Sequence, residues 1–301
     1  MEPFTHLPLL PTTVVGSFPV QRGSGLLSLL DPLKHAVKVA VEAQVTAGID
    51  IISDGQVRGD MIQAFTRHLP GIRGQEVVGK VLAASGPITV PDTRYACSRH
   101  PCVKGILTGP TTLSHGLHIR TPNYRDRTEC ALDLAAALAP EARALEKAGA
   151  CMIQVDEPIL STGAAPLDAG KAAFSRVTSD LKVPVCLHVC GDLSTVIDTL
   201  LEFPVSVIDI ECAKSPENLE LLDGTSLKGM KVGVGCIDSS SPGIESVPEI
   251  KARIGHAVEV LGPGNILIDP DCGLRMLPMD AAVGKLTHMV IAVREVRKEL
   301  A

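Results

Sequence analysis

The chain of 301 residues has no Trp, two Tyr and five Phe, so aromatics make up 2% of it. With so few stacking platforms, single-stranded nucleic acid is a poor partner. There is no excess of basic charge either: the formal net charge is -6, and a phosphate backbone would not be drawn to it. No apolar run is long enough to span a bilayer. The first residues carry no basic cluster and are broken by Pro3, Pro8 and Pro11, so they do not read as a secretory signal. A cytoplasmic protein is expected, with no nucleic acid and no membrane among its partners. Nine cysteines in such a compartment read as core residues, metal ligands or nucleophiles rather than disulfide partners.

What the chain does have is apolar bulk, 45% by residue, with 21% charged, enough for a substantial core. Short β-branched runs alternate with longer helical stretches throughout. Strands are expected at Thr13–Val15, Ile49–Ser53, Gly105–Thr108, Cys151–Val155, Val183–Val189, Val205–Ile210, Lys231–Gly235 and Ile266–Ile268. They are continuous rather than alternating runs, as parallel strands covered by helices are. Helix punctuation is clear. Asp31-Pro32 opens one helix and Gly48 closes it, Ser215-Pro216-Glu217 opens another, and Ser246 with Glu249 forms a capping box. Pro140 is expected to kink a helix over Tyr124–Lys147. A last helix begins near Asp280.

Eight strands alternating with helices in this length predict an α/β fold, a single catalytic (β/α)8 TIM barrel domain over residues 1–301. The stretch Gly74–Ser98 is the exception. Its segments Val77–Leu82 and Ile88–Val90, around Ala84-Ser85-Gly86, read as a hairpin insertion after the second strand.

In such a barrel chemistry collects at the C-terminal strand ends. His188 and Cys190 lie two apart, so a strand projects both to one side, with Cys186 deeper on that face. Glu211 ends the next strand, and Cys272 follows the last. One imidazole, two thiolates and one carboxylate suit tetrahedral zinc. Any one of these alone has a blander reading: a strand Cys is often just a small buried hydrophobe. Their joint placement at three strand ends favours the metal. Other strand ends are polar too. Gly16 and Ser17 offer donors to a carboxylate, and Asp156 offers a partner to an ammonium group, although Asp156 or Glu157 could equally cap a helix.

Taken together, Val15-Gly16-Ser17-Phe18-Pro19, Gln154-x-Asp156-Glu157-Pro158, His188-x-Cys190, Ile208-x-Ile210-Glu211 and Pro270-Asp271-Cys272-Gly273-Leu274 resemble the catalytic half of cobalamin-independent methionine synthases. The similarity runs from about Thr12 to the C-terminus and matches the short, single-barrel form best known from archaea. The resemblance implies Zn(2+) on His188, Cys190, Glu211 and Cys272, activating the thiol of homocysteine. It also implies Gly16, Ser17, Gln56 and Asp156 as substrate-binding residues, and Asp156 and Ser240 as catalytic candidates.

Three positions depart from the long enzymes of the family. Gln56 replaces a Glu, His115 a folate-stacking Trp, and Ser240 a proton-donating His. A folate donor needs an acid for its departing nitrogen, whereas a methylated corrinoid does not. The departures therefore lead us to expect a methylated corrinoid donor, free methylcobalamin or a corrinoid protein. The alternatives are a methylcobalamin:coenzyme M-type methyltransferase, another zinc-dependent thiol-alkylating enzyme, a metal-free decarboxylase of the same barrel type, or a zinc-holding or corrinoid-docking protein without turnover.

Overall fold

The computed structural model describes residues 4, 7–23 and 31–301. Its centre is an all-parallel six-stranded sheet. Strand β3 (Lys104–Thr108) pairs with β5 (Met152–Asp156), and the sheet continues through β6 (Val185–Val189), β7 (Val207–Ile210), β8 (Lys231–Ile237) and β9 (Ile266–Pro270). Apart from Lys231, every residue of these six strands is buried, which explains why the sequence shows unbroken apolar runs.

The first two expected strands are reduced to single bridges, Thr12 to Ile268 and Ile52 to Val103. Backbone hydrogen bonds nevertheless carry the pairing round. Thr13 N–H donates to Ile268, Ile51 N–H to Thr12, and Lys104 N–H to Ile52, at 2.8–2.9 Å. The fold is thus α/β and barrel-like.

Helices cover the outside. Helix α1 (Lys34–Ala47) buries Ala36, Val37, Ala40, Val41 and Gln44, and Gly48 ends it in the left-handed region at φ 83°, where glycine carries no Cβ penalty. The helix starts two residues later than Asp31-Pro32 suggested, and Asp31 Oδ1 accepts from the N–H groups of Leu33 and Lys34 at 3.1 Å. Helix α5 (Arg127–Lys147) runs unbroken through Pro140 and is capped by Asp126. Helix α9 (Val247–Leu261) carries the capping box of Ser246 and Glu249. Helix α10 (Met279–Glu299) packs Leu286, Met289 and Val293 inward.

The insertion differs from its expected form. Its hairpin joins β1 (Ile72–Arg73) to β2 (Glu76–Val77), and β4 (His118–Ile119) pairs with β2 in parallel. The turn falls at Gly74-Gln75 rather than around Ser85, because Gly74 supplies a left-handed φ of 60°. Ile88–Val90 is not a strand. Val90 instead begins helix α3 (Val90–Arg99), with Pro91 and Asp92 in its first turn, both favourable there. Tyr124 ties the insertion to the body: its hydroxyl accepts from Val81 N–H at 2.7 Å and donates to Asp133.

One cysteine pair also departs from expectation. Cys102 and Cys151 form a disulfide with Cα atoms 5.7 Å apart. They precede neighbouring strands β3 and β5, which brings the two within bonding range. No helix among the described residues is long and apolar enough to cross a membrane.

Candidate metal and substrate site

His188, Cys190 and Cys272 converge so that one ligand atom from each lies within 4.8 Å of the others. His188 projects from β6, Cys190 follows that strand's end, and Cys272 lies two residues beyond β9. The loop carrying Cys272 is anchored by buried Asp271, whose carboxylate accepts from the N–H groups of Cys212, Ala213 and Lys214 at 2.7–3.0 Å. Gly273 lies against Ser17: a Cβ there would fall 2.0 Å from Ser17 Oγ. Leu274 N–H donates to the Ser17 carbonyl at 2.7 Å, which joins the first strand loop to the last.

The three donors fit a borderline-soft divalent ion such as zinc. Both ring nitrogens of His188 are buried without a hydrogen-bond partner, an arrangement a metal ligand would explain. The two thiols act as a pair. Cys190 donates to Cys272, which pulls Cys272 down to about 4, while Cys190 is pushed up. Burial opposes ionisation of both, and His188 favours it.

Glu211 is not part of this trio. Its Oε1 accepts from Ser215 Oγ at 2.8 Å and its Oε2 from Gly191 N–H at 3.3 Å, which holds it one residue from Cys190.

The trio opens into a cavity of about 410 Å³, also lined by Ser17, Asp54, Gln56, Arg58 and Asp156. Asp156 ends β5 and is 6% exposed. Its Oδ1 accepts from Gln154 Nε2 at 2.7 Å, and Gln154 also holds the Val15 carbonyl and the ammonium of Lys104. Burial raises Asp156 to about 6, against the pull of His188 and the Gln154 amide. Gln56 sits at φ 43°, with its N–H on Asp54 Oδ1 at 2.9 Å. Its side chain lies over Gly16, where a Cβ would come within 2.8 Å of Gln56 Oε1. Gly16 therefore makes room for Gln56 rather than lining the cavity itself.

Glu157 takes the blander of its two readings. It is fully buried and accepts from Thr111 N–H, Thr112 N–H and Thr112 Oγ1 at 2.7–2.9 Å, capping helix α4 (Pro110–Gly116) from outside.

Ser240 does not join the site. It is exposed, and its N–H and hydroxyl both bond Asp238 Oδ1, closing a short turn. His115 is half-buried on α4, with Nδ1 2.9 Å from its own helix carbonyl at Thr111.

Sequence reasoning missed Arg58, which bridges Asp31 and Asp92, and Arg275, which donates to the carbonyls of Gln56 and Gly59. Both line the cavity. Arg58 follows the second strand by a few residues, which was a usable signal; Arg275 had none beyond its nearness to Cys272.

A barrel-like α/β fold with one imidazole and two thiols gathered at its strand ends defines a class of α/β protein with a candidate metal site. Within that class, residues 10–295 match the model of the family described as "Cobalamin-independent synthase, Catalytic domain", and the chain belongs to that family. It is 41% identical over 308 residues to a methionine synthase of Methanothermobacter marburgensis, covering 94% of this chain and 99% of that one. A 5-methyltetrahydropteroyltriglutamate–homocysteine methyltransferase of Burkholderia mallei is 32% identical, covering 98% of this chain and 44% of that one. The solved structure of a B12-independent methionine synthase from Shewanella sp. W3-18-1, in complex with selenomethionine, superposes with a TM-score of 0.87. It is 26% identical and covers 97% of this chain and 99% of that one. The chain is accordingly a methyltransferase of the methionine synthase type.

These likenesses overturn the expectation of a methylated corrinoid donor, whether methylcobalamin or a corrinoid protein. The family is cobalamin-independent. The cavity is lined by apolar Met61, Phe65 and Ile88 and by the carboxyl of Asp54, and neither His115 nor Ser240 is among its lining residues.

Proposed function

We propose that this chain transfers a methyl group from a 5-methyltetrahydropteroyltriglutamate-type folate to the sulfur of homocysteine. The single observation carrying this reading is that Asp156 and the His188–Cys190–Cys272 trio line one cavity. In this reading residues 1–301 form a single catalytic (β/α)8 barrel domain with a hairpin insertion, and the protein works in the cytoplasm.

Zinc would be held by His188, Cys190 and Cys272, with Glu211 as the fourth ligand. When bound, it lowers the pKa of a substrate thiol, ordinarily about 8.5, so that the thiolate is available at neutral pH. The chain's own residues do the rest. Asp156 pairs with the substrate ammonium, and Ser17 with Gln56 faces its carboxylate end. A sulfonate thiol would instead set its anion against Asp156, which disfavours the coenzyme M alternative. The thiolate sulfur then forms a bond to the methyl carbon as the carbon–nitrogen bond breaks. The electron pair stays on nitrogen, which takes up a proton.

The test is methionine formation from homocysteine and methyltetrahydropteroyltriglutamate by the zinc-loaded protein. Turnover that falls at least a hundredfold in Cys190→Ser is expected. Absence of turnover by the wild type with this donor sinks the reading.

A further inference from the structure

Below the trio lies a set of buried polar groups that the proposed chemistry leaves unused. Asp209 on β7 and Asp269 on β9 flank β8, and Gly233 on β8 keeps the space between them open: a Cβ there would lie 2.9 Å from Asp209 Cβ. None of the four carboxylate oxygens receives a hydrogen bond from a third residue, the two acids lying against each other, and both ring nitrogens of His188 are buried without a hydrogen-bond partner. One contact joins these two sets. His188 Nδ1 lies 3.4 Å from Asp209 Oδ2, with both side chains 2% exposed, and the two residues sit opposite each other in the β6–β7 register.

A neutral imidazole has one donor and one acceptor nitrogen. If one nitrogen faces a metal, the other must carry the proton, and a buried N–H needs an acceptor. Asp209 is the one acidic side chain within ion-pair distance of His188 among the described residues. It also stands two residues before Glu211, the residue that follows the end of β7.

We propose that Asp209 is the positioning residue of the metal centre. It accepts the Nδ1 proton of His188, fixes the ring's tautomer and turn, and leaves Nε2 to face Cys190 and Cys272. Strand β7 then serves the site twice, with a support for the imidazole inside the barrel and a carboxylate at its end. Gly233 is part of the same device, because any side chain there would push Asp209 off His188. The inference rests on the metal reading of the trio.

The experiment is zinc competition against a chromogenic chelator for wild type, Asp209→Asn, Asp209→Ala and Asp269→Asn, with 15N NMR of the His188 ring in the zinc-loaded proteins. Loss of such a partner costs about 10–100-fold in metal affinity. Expected is a loss of about tenfold in Asp209→Asn, which keeps a neutral acceptor, and towards a hundredfold in Asp209→Ala. Asp269→Asn, whose amide can still donate to Asp209 and which makes no ion-pair contact with His188, keeps wild-type affinity. The wild-type ring shows a protonated Nδ1. Should Asp209→Ala fail to fold, Asp209→Asn and the ring spectrum decide alone. Wild-type zinc affinity in Asp209→Asn, or an equal loss in Asp269→Asn, overturns the positioning role while leaving the metal reading intact. A wild type that binds no zinc overturns both.

Discussion

Replacing Asp156 by Asn removes the buried carboxylate proposed to hold the substrate ammonium, with almost no change in shape. A hydrogen bond to a charged partner is worth about 1.5–3 kcal/mol net, which corresponds to about a 10- to 150-fold rise in KM for homocysteine. The hydrogen bond from Gln154 Nε2 survives in part, because the Asn oxygen can accept it, so the fold should not suffer. A pH signature accompanies the loss. Burial holds Asp156 at about 6, above its ordinary 3.8, and only the ionised form attracts an ammonium. Wild-type KM should therefore fall about tenfold per unit as pH rises towards 6, then level off. The variant should show no such limb. The assay is initial-rate kinetics from pH 5 to 8 on both proteins. A variant with unchanged KM, or one that keeps the same limb, would refute the role of Asp156.

Glu157 offers a test of the cap beneath the site. Burial raises it from 4.5 to about 7 despite its three donors, so the folded state holds the proton more tightly than the unfolded chain. Its contribution is complete below about pH 4.5 and is lost as pH rises through about 7, by about 3 kcal/mol over that window. Urea unfolding of wild type and Glu157→Gln across pH 4–8 should give curves whose separation changes by that amount; parallel curves would count against it. Gly273→Ala places a methyl 2.0 Å from Ser17 Oγ and must part the first and last strand loops. Its kcat/KM should drop at least tenfold while circular dichroism stays that of wild type, and undiminished kcat/KM would show that the close approach does not matter.

Much of the frame was legible because its signals are local. Fully buried parallel strands leave unbroken apolar runs, and Ser246 with Glu249 spells a capping box that the fold uses. His188 and Cys190 declare themselves by strand parity at a strand end. What escaped depends on distant partners. The apolar stretch Ile88–Val90 looks like a strand until Pro91 and Asp92 are weighed as a helix start. Glu211 carries the right ligand chemistry, yet its resting partners Ser215 and Gly191 come from packing that no spacing reveals. Asp209 passes for a stray acid in an apolar strand, because His188 lies on another strand 21 positions earlier. Ser240 and the corrinoid donor share one cause. Both rest on single replacements taken as changes of chemistry, whereas neither Ser240 nor His115 lines the cavity.

The most direct test of the central claim is zinc-edge X-ray absorption on the protein with and without homocysteine. The account predicts one zinc per chain with two sulfur neighbours near 2.3 Å, from Cys190 and Cys272, and a third sulfur when homocysteine is added. A protein without bound zinc, or a sulfur count that homocysteine does not change, would contradict it.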